Sequence, residues 1–323
     1  MKKATRIWLI SAAVMILLGC LIFGGVMMKL QWDFTKLSTV KFETNRHEIA
    51  ETYKNISVLG DTAHVVFLPS EDGKTLVVCH EQVNEKHAVF VEGESLTIEV
   101  VNTKKWYEYI GITMGNAKIT VYLPEQDYGN LLIRQNTGDV EVPKDFHFQS
   151  MDITTNTGSV TNFASASGDV KIKTSTGNIR VENCSAQNLN CSVSTGKIIG
   201  SSLTCKRDLS VCVNTGKTAL TDVSCNNLVS TGNTGDILLK NVLSAEKFSI
   251  QRTTGDVLFE DCDASEIFVE TDTGDVEGTL RSAKIFLCKT DTGKVDHPQG
   301  VTGGRCEIIT DTGNIKLSLS ENS

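Results

Sequence analysis

Thr254-Gly255-Asp256-Val257-Leu258-Phe259 and, one period later, Thr273-Gly274-Asp275-Val276-Glu277 are two of ten copies of one short pattern. Each copy has a threonine, then a glycine, then, two residues on, a β-branched side chain that is apolar in every copy but the one with Thr218. The glycines are Gly138, Gly158, Gly177, Gly196, Gly216, Gly235, Gly255, Gly274, Gly293 and Gly313, at intervals of 20, 19, 19, 20, 19, 20, 19, 19 and 20 residues. A period this steady in chemistry and length marks a quasi-one-dimensional array of coils and not a globular domain with one closed core.

Aligning the units on their glycine exposes the inward positions. Seven residues before it stand Met151, Val170, Leu189, Leu209, Leu228, Phe248, Ile267, Phe286 and Cys306, and five before it Ile153, Ile172, Cys191, Val211, Ile250, Val269, Cys288 and Ile308. Beyond the branched residue two after the glycine, Val142, Val181, Leu239, Phe259 and Leu317 stand four after it. Spacing by two on both sides of a bend is strand alternation, whereas a helix needs apolar residues three and four apart. A less regular apolar position seven to nine after the glycine (Cys184, Leu203, Val223, Val242, Cys262) marks a further short strand closing the coil. The glycine suits a backbone with positive φ, and the threonine before it covers the outside of the corner. The expected fold is all-β: a β-solenoid of about ten coils of 19–20 residues over 131–323. With rungs about 4.8 Å apart, it forms a rod roughly 50 Å long. One coil buries too few side chains to offset the ordering of its own backbone, so each depends on neighbours and the end coils are the weak ones.

Ahead of the array, residues 46–130 again read as strands, separated by turns such as Glu71-Asp72-Gly73 and Glu92-Gly93-Glu94, but without the period. They are expected to form an atypical N-terminal β cap. Residues 31–45 read as a stalk, and residues 1–30 as a basic tip, Met1-Lys2-Lys3-Ala4-Thr5-Arg6, followed by 22 uncharged residues from Ile7 to Met28. As a helix those 22 residues span about 33 Å, enough to cross a bilayer's hydrocarbon core. Basic residues ahead of the span favour a cytoplasmic N-terminus, with the bulk of the chain extracellular. An uncleaved single-pass signal anchor, with lipid contact through residues 7–28, is the leading reading. Cleavage, and lipidation at Cys20 in Leu17-Leu18-Gly19-Cys20, stay open.

The net charge of −8 supplies no footprint for nucleic acid. The ten cysteines fall largely on inward slots, where buried thiols act as small hydrophobes, although Cys205 and Cys225 lie in adjacent coils and could pair. No Cys-x-x-Cys or Cys/His spacing points to zinc.

Asn55-Ile56-Ser57-Val58, then Asp61-Thr62-Ala63-His64-Val65 and Leu68-Pro69-Ser70-Glu71-Asp72, then Lys118-Ile119-Thr120-Val121-Tyr122-Leu123-Pro124 and the serial Thr-Gly-Asp-Val turns, resemble the bacterial putative-adhesin family of β-strand-repeat proteins. Its members have no established function, and some are membrane-anchored proteins of cell-envelope stress systems. The resemblance covers roughly 45–323 and implies a β-solenoid outside the membrane, with no catalytic residues to carry over.

Candidate sites are few. Asp139, Asp169, Asp236, Asp256 and Asp275 follow a glycine, and Asp272, Asp291 and Asp311 precede a Thr-Gly. Stacked carboxylates take calcium in some β-rolls, but Lys197, Lys217 and Lys294 interrupt this row, and turn chemistry explains the acids better. The Thr-x-Thr pairs, as at Thr174/Thr176 and Thr310/Thr312, resemble ice-binding ranks, but Val193, Val213 and Gly232 break the series. The six histidines (His47, His64, His80, His87, His147, His297) are scattered, and the fixed period leaves no insertions to frame a catalytic groove. An enzyme is therefore not expected, nor a cofactor or a resident metal. Trp106, Tyr107 and Tyr109 form either core filling of the cap or an exposed partner patch.

The resulting expectation is a non-catalytic adhesion, binding or scaffolding protein of the bacterial cell envelope. Its partners would be envelope proteins or cell-wall polymers, with self-association through an uncovered C-terminal coil. The alternative is a regulatory or sensory partner in an envelope-stress response.

Overall fold

A computed structural model describes residues 3–38, 40–109, 115–300 and 302–320. Helix α1, Lys3–Lys29, is continuous, and its apolar side chains are almost all exposed. Its segment Thr5–Lys29 is long and apolar enough to cross a membrane. A single 3-10 turn, Phe34–Leu37, separates it from the first strand, which begins at Phe42.

The periodic region is a β-solenoid. Gly138 through Gly313 stack as ten corners, nine turns from first to last, and parallel strands pair without a slip on either side of them, as in Val170↔Leu189, Ile179↔Ile198 and Phe248↔Ile267. The inward positions read from spacing are buried, Ile153, Ile172, Ile250 and Val269 completely, except in the coil around Gly293, where Phe286 and Cys288 are half-buried and Val295 is exposed. The expected third position is inward too, for Cys184, Leu203, Val223, Val242 and Cys262 are all buried.

The glycine corner is required twice over. At Gly216, φ is +137°, a conformation L side chains rarely adopt, and an added Cβ would lie 1.8 Å from the Gly196 carbonyl oxygen. Gly274 lies outside that range of φ, so there the close approach alone demands glycine, since a Cβ would meet the Gly255 oxygen at 2.0 Å. A second corner, six residues after the glycine, holds Asn183, Ser202, Asp222, Asn241 and Asp261 at φ of +50° to +55°. Asn and Asp tolerate this left-handed region best among residues with a side chain. At the third corner, the coil through Ala245 and Glu246 holds one residue more than its neighbours, seen as a register shift between Ser244 and Lys247. Coils of 19 and 20 residues therefore stack without disturbing the glycine column.

Rung order departs from chain order at both ends. After the coil containing Gly274, the chain lays down Lys284–Thr292 and Val295–Asp296 as the outermost rung. It then returns to insert Gly304–Thr312 and Ile315–Leu319 between them. Gly274 donates its amide to the Thr312 carbonyl at 2.9 Å, and Gly313 donates to that of Thr292 at 3.0 Å. The C-terminal coil is therefore covered on both sides, which corrects the expectation that it forms the open end. The open edge belongs to the coil around Gly293, where Ile285, Leu287 and Val295 are exposed.

The N-terminal region comprises β1 (Phe42–Ile49), β2 (Asn55–Leu59), β3 (His64–Pro69), β4 (Thr75–Gln82), β5 (Glu85–Glu92), β6 (Ser95–Asn102), β7 (Lys118–Leu123), β8 (Asp127–Thr137) and β9 (Val140–Val142). β2 and β3 form a rung between β6 and β7 on one side and β8 and β9 on the other. Beyond that rung pairing turns antiparallel: β4 pairs with β7, β1 with β4, and β5 with β6. The β4–β5 hairpin thus closes the end of the rod, and one hydrophobic core runs from Ile56 to Leu317 through cap and solenoid.

All ten cysteines are free thiols, and seven of them are buried. Burial pushes Cys184, Cys205 and Cys306 up to about 12 and Cys225 and Cys262 up to about 11. These groups stay protonated, hence unreactive, at neutral pH.

The packing of corner and core is open to two tests. Gly216→Ala forces a side chain into a glycine-only conformation, at a cost of at least about 1–3 kcal/mol before the clash with Gly196 is counted. Thermal unfolding of the variant is expected several degrees lower, and an unchanged midpoint contradicts the stacked corner. Alkylation of the native chain at pH 8 is expected to spare the seven buried thiols. Unfolding without reductant then exposes all ten, and a count two short of ten reveals a disulfide.

Candidate functional site

The row of turn acids is a hydrogen-bonding device. Where the residue after the glycine is Asp, Asn or Ser, its side chain accepts the backbone N–H of its counterpart one rung on. Ser159 N donates to Asp139 Oδ1 at 2.8 Å, Lys197 N to Asn178 Oδ1 at 3.0 Å, Asp275 N to Asp256 Oδ1 at 2.9 Å and Asn314 N to Asp275 Oδ1 at 2.6 Å. Lys217 Nζ pairs with Asp236 Oδ2 at 2.7 Å and holds that carboxyl below the usual carboxylate range. Among the described residues these acids form no convergent group of three with metal-ligand spacing.

The Thr-x-Thr pairs are not an exposed rank either. The first threonine of the pairs points inward, and in most of them it serves the glycine corner: Thr174 Oγ1 donates to Gly158 O at 2.9 Å and Thr310 Oγ1 to Gly274 O at 3.1 Å. A flat ice-binding face would need both side chains outside. In the coil of Gly255 this inward slot carries Arg252 instead, buried and donating from Nη1 to Val213 O at 2.6 Å and from Nη2 to Thr218 Oγ1 at 3.1 Å. Gly232 makes room for it, since a Cβ there would lie 1.9 Å from Arg252 Nη1. The break in the threonine series at Gly232 is thus part of an arginine socket.

Outward-facing positions offer a surface that the sequence reading missed. Three residues after the glycine stand Ile199, Ala219, Leu238 and Leu258, in register on four consecutive rungs and bounded by Arg180 and Glu277. Ile199, Leu238 and Leu258 are 39%, 36% and 37% exposed. With rungs roughly 4.8 Å apart, the ridge is about 14 Å long. Charged residues of both signs rim it, Lys197, Lys217, Asp236 and Asp256 in the column after the glycine and Lys240 and Glu260 beyond the ridge, with Lys217 paired to Asp236 and Lys240 to Glu260. An apolar strip with a polar rim is the anatomy of a contact surface. Reading the third outward column as one would read a core column reveals it.

Trp106 opens a short 3-10 turn, Trp106–Tyr109, and is 77% exposed, so for this residue core filling of the cap is ruled out. The side chains of Tyr107 and Tyr109 and the neighbouring Ile110 lie outside the described residues. A depression of about 240 Å³, lined by His64, Gly138, Asp139 and Gly158 among others, sits where the glycine column meets the cap. No nucleophile–base pair stands in it among the described residues.

Among solved structures, a putative adhesin from Parabacteroides merdae is 11% identical with a TM-score of 0.47, the match covering 87% of this chain and 98% of that one. A putative lipid binding protein from Parabacteroides distasonis is 14% identical, TM-score 0.45, with the same coverage. A putative adhesin from the same organism is 13% identical, TM-score 0.44, covering 86% and 98%. None of these names describes an enzyme, and likeness at this level transfers no function. No curated protein matches the chain. The family model described as Toastrack DUF4097 matches residues 53–210 and 201–323, nearly all of the β-structure. The chain belongs to the Toastrack DUF4097 family.

Proposed function

We propose that the protein is a membrane-anchored, non-catalytic adhesion or scaffolding element of the bacterial cell envelope. In this reading α1 spans the membrane with its basic tip in the cytoplasm, and the solenoid stands outside. The observation that carries the reading is the ridge of Ile199, Leu238 and Leu258, an exposed apolar strip on a face whose period leaves no room for a groove. Flat β-faces bind other surfaces, either folded proteins or polymer strands. The uncovered rung around Gly293, with Ile285 and Leu287 exposed, offers a second contact by strand addition, to a partner or to another copy.

Anchoring and contact are tested separately. An epitope placed after Ser320 is expected to be reached by antibody on intact cells, and detection only after lysis contradicts the orientation. The double variant Leu238→Asp/Leu258→Asp changes only exposed side chains, so its thermal midpoint should match that of the wild type. Its retention on isolated envelope material (wall sacculi and membrane fractions assayed apart) is expected to fall about tenfold, the loss of roughly 1.4 kcal/mol. Undiminished retention on both fractions removes the ridge from the proposal.

A further inference from the structure

Three side chains of different donor type converge under the N-terminal cap. Cys79 and Glu81 share the inward face of β4, and His87 points inward from β5, across the turn that joins the two strands. Cys79 is 0%, Glu81 1% and His87 6% exposed. The Cys79 Sγ, one Glu81 carboxylate oxygen and one His87 ring nitrogen all lie within 4.8 Å of one another.

The surroundings hold this group in place without completing it. Glu81 Oε1 accepts from Asn45 Nδ2 of β1 at 2.7 Å, while Oε2 accepts the His87 backbone N–H at 2.7 Å and faces His87 Nδ1 at 2.7 Å. The nearby lysines serve other carboxylates, Lys86 that of Glu43 at 2.6 Å and Lys104 that of Glu85. The ring is left with a buried Nε2 that has no hydrogen-bond partner. Buried polar atoms are rarely left so, because desolvation without a partner costs free energy.

We propose that Cys79, Glu81 and His87 form a binding site for a divalent transition-metal ion of the zinc class, which clasps the β4–β5 hairpin across the end of the solenoid. The donor set fits that class: a thiolate, an imidazole and a carboxylate are the ligands zinc uses, with bonds of about 2.0–2.3 Å. Tetrahedral edges built from such bonds are about 3.3–3.8 Å, within reach of donors already gathered inside 4.8 Å. Thiolate and carboxylate together carry two negative charges, which a dication balances in a site that no lysine neutralises. Asn45 then acts as a positioning residue for the Glu81 carboxylate, the usual outer-shell role. The fourth coordination position is open to water. The clasp also has a physical purpose, because the terminal coils of a stacked array have a neighbour on one side only.

The test uses the full chain in detergent micelles under reducing conditions, dialysed against Co2+ after purification and, separately, during refolding, so that a closed site is still loaded. The expected result is one equivalent of Co2+ per chain with thiolate-to-cobalt absorption in the near ultraviolet, displaced by Zn2+. Cys79→Ser should lose that absorption, His87→Gln should weaken binding by at least about tenfold, and Cys225→Ser should leave both unchanged. Less than a tenth of an equivalent on folded wild-type chain overturns the proposal. So does stoichiometric binding without the thiolate band, or a band that survives Cys79→Ser. Should the variants fail to fold, the wild-type stoichiometry and spectrum decide the matter alone.

Discussion

One contact repeats along the whole rod: a glycine amide donating to the threonine carbonyl of the next coil, with only hydrogen on the Cα between them. The N···O distances, 2.8 Å from Gly138 to Thr157 and from Gly216 to Thr234, hardly vary. A methyl group on any of these carbons would sit about 2 Å from a backbone oxygen of the neighbouring rung, Ala63 for Gly138 and a glycine for the others, so a side chain there would push the coils apart. The rest of the coil depends on that spacing. Strands on either side fall into register, inward side chains stack on their own kind, and Thr174 and Thr310 turn inward to cover the glycine carbonyls. Variation in coil length falls away from this column, as at the corner near Ala245 and Glu246 and in the register shift between Phe259 and Cys262.

A rod built this way must terminate, and each end uses the same device. At both ends the outermost rung is not the one nearest the terminus in sequence: β6 and β7 lie outside β2 and β3, which precede them, and the coil of Gly293 lies outside that of Gly313, which follows it and is inserted behind it. The two ends differ in how the outermost rung is covered. Antiparallel β1, β4 and β5 cover the N-terminal rung, while the Gly293 rung keeps an exposed parallel edge bearing Ile285 and Leu287. Such an edge is a natural place for strand addition. The asymmetry separates a closed end, next to α1 in sequence, from an end with an uncovered strand edge.

The glycine column and the inward residues were legible in the sequence because they repeat, and repetition averages away local irregularity. Features that occur once, or that swap equivalent parts, were not. The exchanged order of the last two rungs is invisible to spacing, since either coil satisfies the same period. The only hint was His297-Pro298 where other coils carry an apolar residue and a strand, and His297 in fact stacks on Phe286 at 5.1 Å. Arg252 fills a slot that in most coils holds threonine or valine, and only its pairing with Gly232, its register partner on the adjacent strand, explains either residue. The corner of Asn183, Asp222, Asn241 and Asp261 could have been found, for Asn and Asp six residues after the glycine are a turn signal once the register is known. Cys79, Glu81 and His87 match no familiar ligand spacing, because a bent hairpin, not a local motif, brings them together.

In this architecture the outward columns lie clear of the glycine corners, so a side chain there leaves the stacking untouched. The ridge through Leu238 and Leu258 exists because register carries any column straight along the rod. Amide hydrogen exchange at the turn glycines tests the stacking most directly. Gly177, Gly196, Gly216 and Gly235 each donate to a neighbouring rung. Their amides are predicted to exchange only through global unfolding, while Gly293, with no rung beyond it, exchanges at the rate of an exposed amide. Rapid exchange throughout the glycine column would contradict the account.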